Sequence, residues 1–457
     1  MDSSRTVRKL LVLPLLVFAA AEHLFAGEVE KLSLQSERRV GELTRVEVAL
    51  QVGGDLKLVT DGKPKNLPMS VVANLKYDEQ LLGVDRADRP IRSVRFYDEA
   101  RAVIKVDQGG EKPSLDSARR LIEVEKPEKS AAVLFCPAVG LKREELDLID
   151  VPANSLIVDR LLPDKPLALG DSWKLADQTL ADLVSLEAVS WSDVQSMLSQ
   201  VADGVAEITT AGSVSGAIGG VSSEIELKAK YRFDLTAKRI TYLAMLIKEK
   251  RAVGHIGPGL DTVAKLIVKI SPLAESQNLT AEAVKSLPET LAPELAQLSY
   301  ASLGGQFRFL YDRRWFLTSD DSKLAIFRLL DRGELVAQCN VSAVPAGPTK
   351  LATLAEFQHD VQNSLGKNFG QFVNASQFTN EAGYNVLRLV VHGTVSQLPI
   401  EWIYYLITDS NGQRVSLAFT LEESLLDRFA RADRALADAV RLPEQGNPTA
   451  AKPTQQK

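Results

Sequence analysis

Strict alternation of side-chain character from Val221 to Phe233 is the strongest constraint in this sequence. Apolar or small residues occupy the odd positions, and charged or hydroxyl residues occupy the even positions. Side chains of a β-strand point alternately to opposite faces, so the pattern predicts a long antiparallel strand with one buried and one wet face. Residues 202–211 and 239–251 are predicted to be neighbouring strands on either side of it. The glycine-rich stretch Gly212 to Gly220 is predicted to be the turn that joins residues 202–211 to the strand at Val221. Together they predict a meander, curved by its glycines.

The whole region 28–271 is predicted to be β-rich. Residues 45–52 alternate cleanly, and shorter strands are predicted at 71–75, 94–97, 102–106, 121–124 and 131–136. Ser192 and Gln195 have the spacing of a helix N-terminal capping pair, which predicts a short helix that stops before Gly204. Residues 272–304 are rich in proline, alanine, leucine and glutamate, which favours a partly helical connection with one helix near 280–287.

The region 305–443 is predicted to be a second domain. Strands are predicted near 307–311, 324–330, 335–341, 372–378 and 384–391, followed by a hairpin that turns at Asn411-Gly412. Thr353 and Glu356 form a capping box for an intervening helix, and Thr420 and Glu423 are read as a second box that opens a final helix ending at Pro443. The predicted fold class is therefore α+β, with an antiparallel β-rich region followed by an antiparallel sheet with packed helices. Residues 444–457 have the composition of a disordered tail.

Two families resemble parts of the chain. The order of elements over about 305–442, with the aromatic strand Glu401-Trp-Ile-Tyr-Tyr405 and a long C-terminal helix, resembles the PsbP-like fold of an extrinsic photosystem protein and of DcrB-type envelope proteins. The segment Gly170-Asp-Ser-Trp173 with the meander after it resembles the half-barrels of LolA-like lipoprotein carriers. These resemblances imply binding or scaffolding, and they transfer no catalytic residue.

The N-terminus has the pattern of a secretory signal peptide, predicted as residues 1–27. Basic residues precede an apolar core, Leu10 to Ala21, that is too short to span a bilayer comfortably. An uncleaved anchor is the alternative reading, and no cysteine near the cleavage region supports lipidation. Removal of the peptide takes away one net positive charge, which changes the formal charge from −5 to −6. We therefore expect a periplasmic or secreted protein with no stable membrane span after cleavage and no nucleic-acid partner.

The inventory of reactive residues does not predict an enzyme. Cys136 and Cys339 are the two cysteines, which excludes a disulfide scaffold and leaves open whether they pair or are buried separately. The four histidines lack metal-ligand spacing, and nucleophile and phosphate-loop motifs are absent from the sequence. No metal and no cofactor are predicted.

Two segments are candidate ligand or partner sites. Arg313, Arg314 and Trp315 place two guanidinium groups beside an indole, which suits an anion or carboxylate, although a solvated turn with a core tryptophan is the favoured alternative. The predicted strand around Trp402 is apolar on both faces, so an uncovered face would be a binding surface. Its candidate residues are Trp402, Tyr404 and Tyr405.

The resulting hypothesis is an exported, non-catalytic envelope protein that binds or scaffolds through protein contacts. One alternative is a carrier that holds a lipid or another apolar small molecule on the inner side of the meander, where a core of side chains is the competing reading. A second alternative is a hydrolase of envelope polymers, which requires carboxylates gathered from distant positions.

Overall fold

A computed structural model describes residues 31–60, 62–128, 130–345 and 352–443. The predicted signal peptide and the predicted tail lie outside these ranges. The described chain is strand-rich, with few helices, and every strand pairing within its three sheets is antiparallel. The predicted antiparallel, strand-rich architecture is thus present.

The first sheet contains 13 strands. Along the sheet the order is β6-β5-β3-β2-β1-β13-β12-β11-β10-β9-β7, with β4 paired to β3 and β8 paired to β10. The strands are β1 (Leu43–Thr60), β2 (Lys63–Val84), β3 (Pro90–Val106), β4 (Gly109–Glu111), β5 (Leu121–Glu125), β6 (Val133–Phe135), β7 (Ser172–Lys174), β8 (Ala188–Ser192), β9 (Gln195–Ala202), β10 (Val205–Ile218), β11 (Val221–Asp234), β12 (Arg239–Arg251) and β13 (Gly259–Pro272).

The alternation that predicted β11 is confirmed. Residues 225, 227, 231 and 233 are buried, while the even positions from 222 to 232 are exposed. The register places β11 between β10 and β12 along nearly its whole length. The meander predicted from the sequence is therefore the central part of the first sheet.

Two local predictions in this region are wrong. The predicted turn from Gly212 to Gly220 is mostly strand β10, and Gly219 and Gly220 alone make the turn to β11. The glycine at 212 is needed for another reason, since a Cβ there would lie 2.6 Å from the Cα of Val194. The predicted helix after Ser192 is strand β9, which pairs with β10. The Ser192 hydroxyl accepts a hydrogen bond from the Val194 amide, as in a tight turn between two strands.

The chain between β6 and β8 covers the buried face of the sheet. It contains α1 (Arg143–Ile149), α2 (Asp177–Val184) and a 3₁₀ turn (Val158–Leu161), and another 3₁₀ turn (Ser117–Arg119) precedes it. Its leucine and isoleucine side chains join the same core cluster as the inward side chains of the central strands. The space beneath the meander is filled by this segment.

Buried polar contacts fasten the covering segment to the sheet. The Lys126 ammonium lies 2.9 Å from the Asp182 carboxylate, and both side chains are almost fully enclosed. The Glu79 carboxylate accepts hydrogen bonds from Arg95 Nε at 2.8 Å and from the Ser155 hydroxyl at 2.9 Å. Charges in a low-dielectric interior must be paired in this way, so these contacts fix how the segment sits.

A small second sheet lies in the connection. It pairs β14 (Leu298–Ala301) with β15 (Arg308–Tyr311), after a short helix α3 (Ala281–Lys285) and a 3₁₀ turn (Pro293–Ala296). Leu141 bridges to Leu298, and Arg308 bridges to Arg441. The hairpin therefore joins the first body to the end of the chain. The strand predicted at 307–311 exists, but it belongs to this hairpin.

The third sheet has seven strands in the order β16-β17-β18-β22-β21-β20-β19. The capping box of Thr353 and Glu356 and its helix are confirmed, and so is the hairpin whose turn contains Gly412 at φ +78°. The elements are β16 (Trp315–Asp320), β17 (Ala325–Asp331), β18 (Glu334–Val344), α4 (Leu354–Leu365), a 3₁₀ turn (Gly366–Asn368), β19 (Phe369–Thr379), β20 (Asn385–Val395), β21 (Leu398–Thr408) and β22 (Arg414–Glu422).

The prediction for the C-terminal helix is wrong in two respects. Thr420 lies inside β22 and pairs with Trp402, because the buried alternation of Val415, Leu417, Phe419 and Leu421 keeps the chain extended. The helical region is also divided where Ala430 and Arg431 have positive φ. It consists of a 3₁₀ turn (Glu423–Leu425), α5 (Leu426–Phe429) and α6 (Ala432–Ala439).

Cys136 and Cys339 are both free and both buried. Within the described ranges, none of the helices has the length and apolar character of a membrane span.

Candidate functional site

A groove of about 540 Å³ opens where the two large sheets are linked. Its walls come from three distant parts of the chain. One is the loop that ends at Lys142, the second is the β14–β15 hairpin, and the third is the end of α6. The groove is thus a product of the tertiary fold.

The floor of the groove is apolar. Val139 and Leu310 are large side chains that remain 44% and 40% exposed, and Ala301 and Ala439 continue the surface. An isolated exposed apolar residue is ordinary, whereas several that line one concavity indicate a binding surface. The floor can therefore gain free energy by burying an apolar group of a ligand.

Gly140 holds the loop against the hairpin. A Cβ at this position would lie 3.1 Å from Leu310 Cδ2, so the Leu310 side chain would have to shift by a few tenths of an ångström to admit a larger residue. The Gly140 carbonyl accepts hydrogen bonds from Arg119 Nε and from the Ser299 hydroxyl, both at 3.0 Å. On the opposite wall, backbone hydrogen bonds of 2.9 and 2.7 Å join Arg308 and Arg441.

The residues that line the groove include four basic side chains and no carboxylate. Arg119 is neutralised by Glu145 at 3.2 Å, and Lys142 reaches Glu144 at 3.8 Å. Arg441 donates to the backbone carbonyls of Asp438 and Val440, both at 2.7 Å, and it has no carboxylate partner among the described residues. Arg308 is exposed, and the described part of the chain gives its guanidinium no partner. The rim therefore carries uncompensated positive charge.

A compact aromatic cluster supports the groove from below. Tyr300 packs edge-on against Phe327 and tilted against Phe309, with ring centroids 5.2 Å apart in each pair. The Tyr300 hydroxyl donates to Asp320 at 2.9 Å. Burial, followed by the Asp320 carboxylate, raises the pKa of Tyr300, so this ring stays neutral. The floor is consequently held by rigid packing.

The structure separates the three residues of the predicted Arg-Arg-Trp site. Arg313 is half-buried and donates to the backbone carbonyls of Ala296 and Leu134, both at 2.5 Å. Arg314 is exposed and pairs with Asp312 at 3.0 Å, and Trp315 is only 2% exposed and packs on Phe419. The two guanidinium groups therefore do not converge on one ligand position.

Arg313 instead lies near Asp150, close enough for the two charges to interact. Burial, opposed by the charge of Arg313 and reinforced by Asp147, raises the pKa of Asp150 to about 6. Burial and repulsion from Arg143 lower the pKa of Arg313 to about 10. Asp150 as a residue is nevertheless exposed, so solvent screens its carboxylate.

The three aromatic candidates of β21 lie in the core. Trp402 and Tyr404 join a cluster with Phe357 and Val361 of α4, and Tyr405 faces the opposite side. The Tyr405 hydroxyl donates to Asp433 at 2.6 Å. Helices therefore cover both faces of this strand, and Tyr404 alone of the three is half-exposed.

His392 is flanked by two carboxylates. Its Nε2 lies 2.8 Å from Glu401, and its Nδ1 lies 3.2 Å from Glu423. Among the residues that the structure describes, no group of three or more histidine, cysteine, aspartate or glutamate side chains is arranged to hold a metal ion. The contacts of His392 link β20, β21 and the turn after β22.

The groove was missed by sequence reasoning because no short motif encodes it. Its residues come from positions near 140, 300 and 440, which only the folded chain brings together. The one local signal is the exposed Leu310, which follows buried Phe309 in the alternation of β15. A lone apolar residue at an outward position is too common to mark a site.

Comparison with known proteins gives partial similarities of fold. No protein-family model and no curated protein sequence matches the chain. Similar solved structures include cyanobacterial PsbP from Synechocystis sp. PCC 6803, with 17% identity over 35% of this chain and 98% of that one and a TM-score of 0.27. A variant of the protein Mog1 has 9% identity over 33% of this chain and 97% of that one, with a TM-score of 0.27.

A Pseudomonas aeruginosa protein of unknown function has 14% identity over 33% of this chain and 99% of that one, with a TM-score of 0.24. PsbP, whose fold family was expected from the order of elements over about 305–442, is thus among the solved structures similar to this chain. Each of these similarities spans about a third of the chain, and nothing about function follows from them.

Proposed function

We propose that this chain is an exported, non-catalytic protein of the cell envelope that binds an acidic, partly apolar segment of a partner protein in the groove. In this proposal the first sheet is a half-barrel-like body and the third sheet is a PsbP-like α/β sandwich. The observation that carries the proposal is the combination of an apolar floor with an uncompensated basic rim.

Charge decides what kind of segment fits. Arg308 and Arg441 lack carboxylate partners in the described part of the chain, so a basic segment would be repelled and an acidic one attracted. The exposed surfaces of Leu310 and Val139 can contact one or two apolar side chains of a ligand. The electrostatic part of such binding weakens with added salt, whereas the apolar part does not.

The carrier alternative receives less support than protein binding. The inner side of the meander, where an apolar ligand would be held, is occupied by the leucine and isoleucine side chains of the covering segment. The hydrolase alternative requires an acid and a base beside a substrate cleft. Asp150 and Asp147 are neighbouring carboxylates, but the nearby guanidinium group of Arg313 is bonded to backbone carbonyls.

A pair of synthetic peptides tests the proposal. One fluorescent peptide alternates glutamate and leucine, and the other alternates lysine and leucine. We expect the acidic peptide alone to bind, with affinity that falls as salt rises, and we expect Arg308→Glu or Leu310→Asp to weaken it about tenfold or more. Lys323→Glu, an exposed charge reversal elsewhere, is the matched control. Equal binding of both peptides, or binding that ignores Arg308→Glu, contradicts the proposal.

Export is tested separately. The full-length chain is expressed in a Gram-negative host, and the periplasmic fraction is analysed by intact mass. We expect a shortened chain whose N-terminus falls between residues 20 and 28, because cleavage follows small residues at the end of the apolar core. Retention of the uncut chain in the cytosol would remove the export half of the proposal.

A further inference from the structure

A second concavity lies in the first body and shares no lining residue with the groove. It consists of two adjoining cavities of about 680 and 830 Å³ that have Ala87, Arg89 and Arg160 in common. The loop between β2 and β3 forms one wall, and the chain around Arg160 forms another. Trp173 is among the residues that line the cavity of about 680 Å³, and its indole N–H donates to the Leu161 carbonyl at 3.1 Å.

Arg160 occupies the junction of the two cavities. Its side chain is half-buried, and Nε is fully enclosed without a hydrogen-bond partner. Among the described residues, none forms a side-chain hydrogen bond or an ion pair with it. The enclosed Nε–H has lost its contact with water without gaining an acceptor, and an unsatisfied buried donor is destabilising.

Two of the carboxylates that line the cavities are already engaged, while Asp88, Asp164 and Glu128 also line them. Arg89 pairs with Asp85 at 2.9 Å, so this carboxylate already has a guanidinium partner. The adjacent Asp159 is turned toward Arg38, also at 2.9 Å. Burial and the positive charge of Arg89 lower the pKa of Arg160, and the charges of Asp85, Asp182 and Glu128 oppose this shift. A negative group placed in the junction would satisfy Nε and offset the repulsion between the two arginines.

We infer that this cleft binds an oxyanion, a phosphate or a carboxylate carried by a polar ligand, and that Arg160 is the residue that ligates it. A guanidinium group presents several N–H donors in a plane that matches both kinds of oxyanion. The walls around it are polar and of mixed charge, which suits a hydroxylated ligand, and the indole of Trp173 offers a flat apolar surface. Binding here is independent of the groove.

The test uses four soluble probes at matched ionic strength. Inorganic phosphate and glucose 6-phosphate carry a phosphate, glucuronate carries a carboxylate, and glucose is the neutral control. We expect at least one anion to raise the melting temperature of the full chain in a saturable way, since a ligand that binds only the folded state stabilises it. Comparison of the two phosphates with glucuronate shows whether the cleft prefers a phosphate or a carboxylate.

Two variants separate a binding role from a structural one. Arg160→Gln removes the charge and is expected to abolish the anion-dependent shift, with affinity reduced about tenfold or more, while the unliganded protein melts at the same or a higher temperature. Arg101→Gln is the matched control, because Arg101 is exposed and lines neither cavity. The inference is overturned if no anion shifts the melting temperature of the wild type, or if Arg160→Gln responds as the wild type does.

Discussion

The backbones of Gly220 and Gly333 pack directly against each other, although they belong to different sheets. Gly220 lies in the turn between β10 and β11, and Gly333 lies in the turn between β17 and β18. Both have positive φ, +73° and +79°. A Cβ added to either residue would overlap backbone atoms of the other, so this contact between the two bodies admits only glycine.

We predict that Gly220→Ala destabilises the protein by about 2–4 kcal/mol, because it adds backbone strain and a backbone clash. Gly204→Ala is the matched control, since Gly204 has φ +75° but open space around its Cα. The control should cost about 1 kcal/mol from strain alone. Denaturant unfolding measures both, and equal losses in the two variants would mean that the turns do not touch.

The enclosed pair of Lys126 and Asp182 gives a second prediction. Asp182→Asn removes the counter-charge of the buried Lys126 ammonium and leaves it with neutral oxygens as partners, among them the carbonyls of Pro127 and Ser130 at 3.0 and 2.7 Å. We expect a loss of about 3–5 kcal/mol in the free energy of unfolding, which is typical when one member of a buried pair is removed. Asp203→Asn, at an exposed turn, is the control and should change stability by less than about 0.5 kcal/mol. A small loss at Asp182 would show that water reaches Lys126.

Asp150 predicts a dependence of stability on pH. Its pKa is raised from 3.8 to about 6 by burial, so the folded state holds this proton more tightly than the unfolded state. The contribution of this bound proton to the free energy of unfolding is fully present below pH 3.8 and is lost as pH rises through about 6. We therefore expect Asp150→Asn to be more stable than wild type at pH 8 and equal to it at pH 3.5. The gain is on the order of 1 kcal/mol, because the side chain still reaches solvent and is screened. Urea unfolding at the two values checks the sign, and a pH-independent difference would refute it.

The strands were predictable where a single face is wet. From Val221 to Phe233 the period of two is unbroken, and the burial of β11 follows it residue by residue. This prediction does not require the positions of the neighbouring strands, because each side chain of β11 faces either the core or the solvent. The Asn411-Gly412 turn was predictable for a similar reason, since a positive φ restricts the residue type locally.

Errors arose where one residue type serves two structural purposes. Gly212 looks like part of a turn, but it lies within β10. The residue is glycine because Val194 approaches too closely for a side chain. Thr420 and Glu423 have capping-box spacing, but pairing of β22 with β21 keeps Thr420 extended. Tertiary contacts decide such cases, and they cannot be read from spacing.

The groove and the cleft at Arg160 show the same limit at the level of function. The sequence places Arg313 in a local cluster of cations and an indole, yet its guanidinium group is bonded to two backbone carbonyls. Arg160 has no local feature that marks it, and its lack of a partner becomes visible only when Asp159 is seen to face Arg38. The state of a charged residue depends on distant groups that a single sequence does not place.

Tyr405 provides a last prediction, which separates core residues from ligand-binding residues in β21. Its buried hydroxyl donates to Asp433 and accepts from Arg388 Nε at 2.8 Å, so Tyr405→Phe removes the link between β21 and α6 and leaves both charged partners less satisfied. We expect a loss of about 1–3 kcal/mol in stability with no change in peptide binding at the groove. Tyr404→Phe is the matched control, because the Tyr404 hydroxyl lies on the other face of the strand and is not part of this link; its loss should be below about 0.5 kcal/mol. If Tyr405→Phe instead weakened peptide binding and left the unfolding curve unchanged, the aromatic strand would be a binding surface after all.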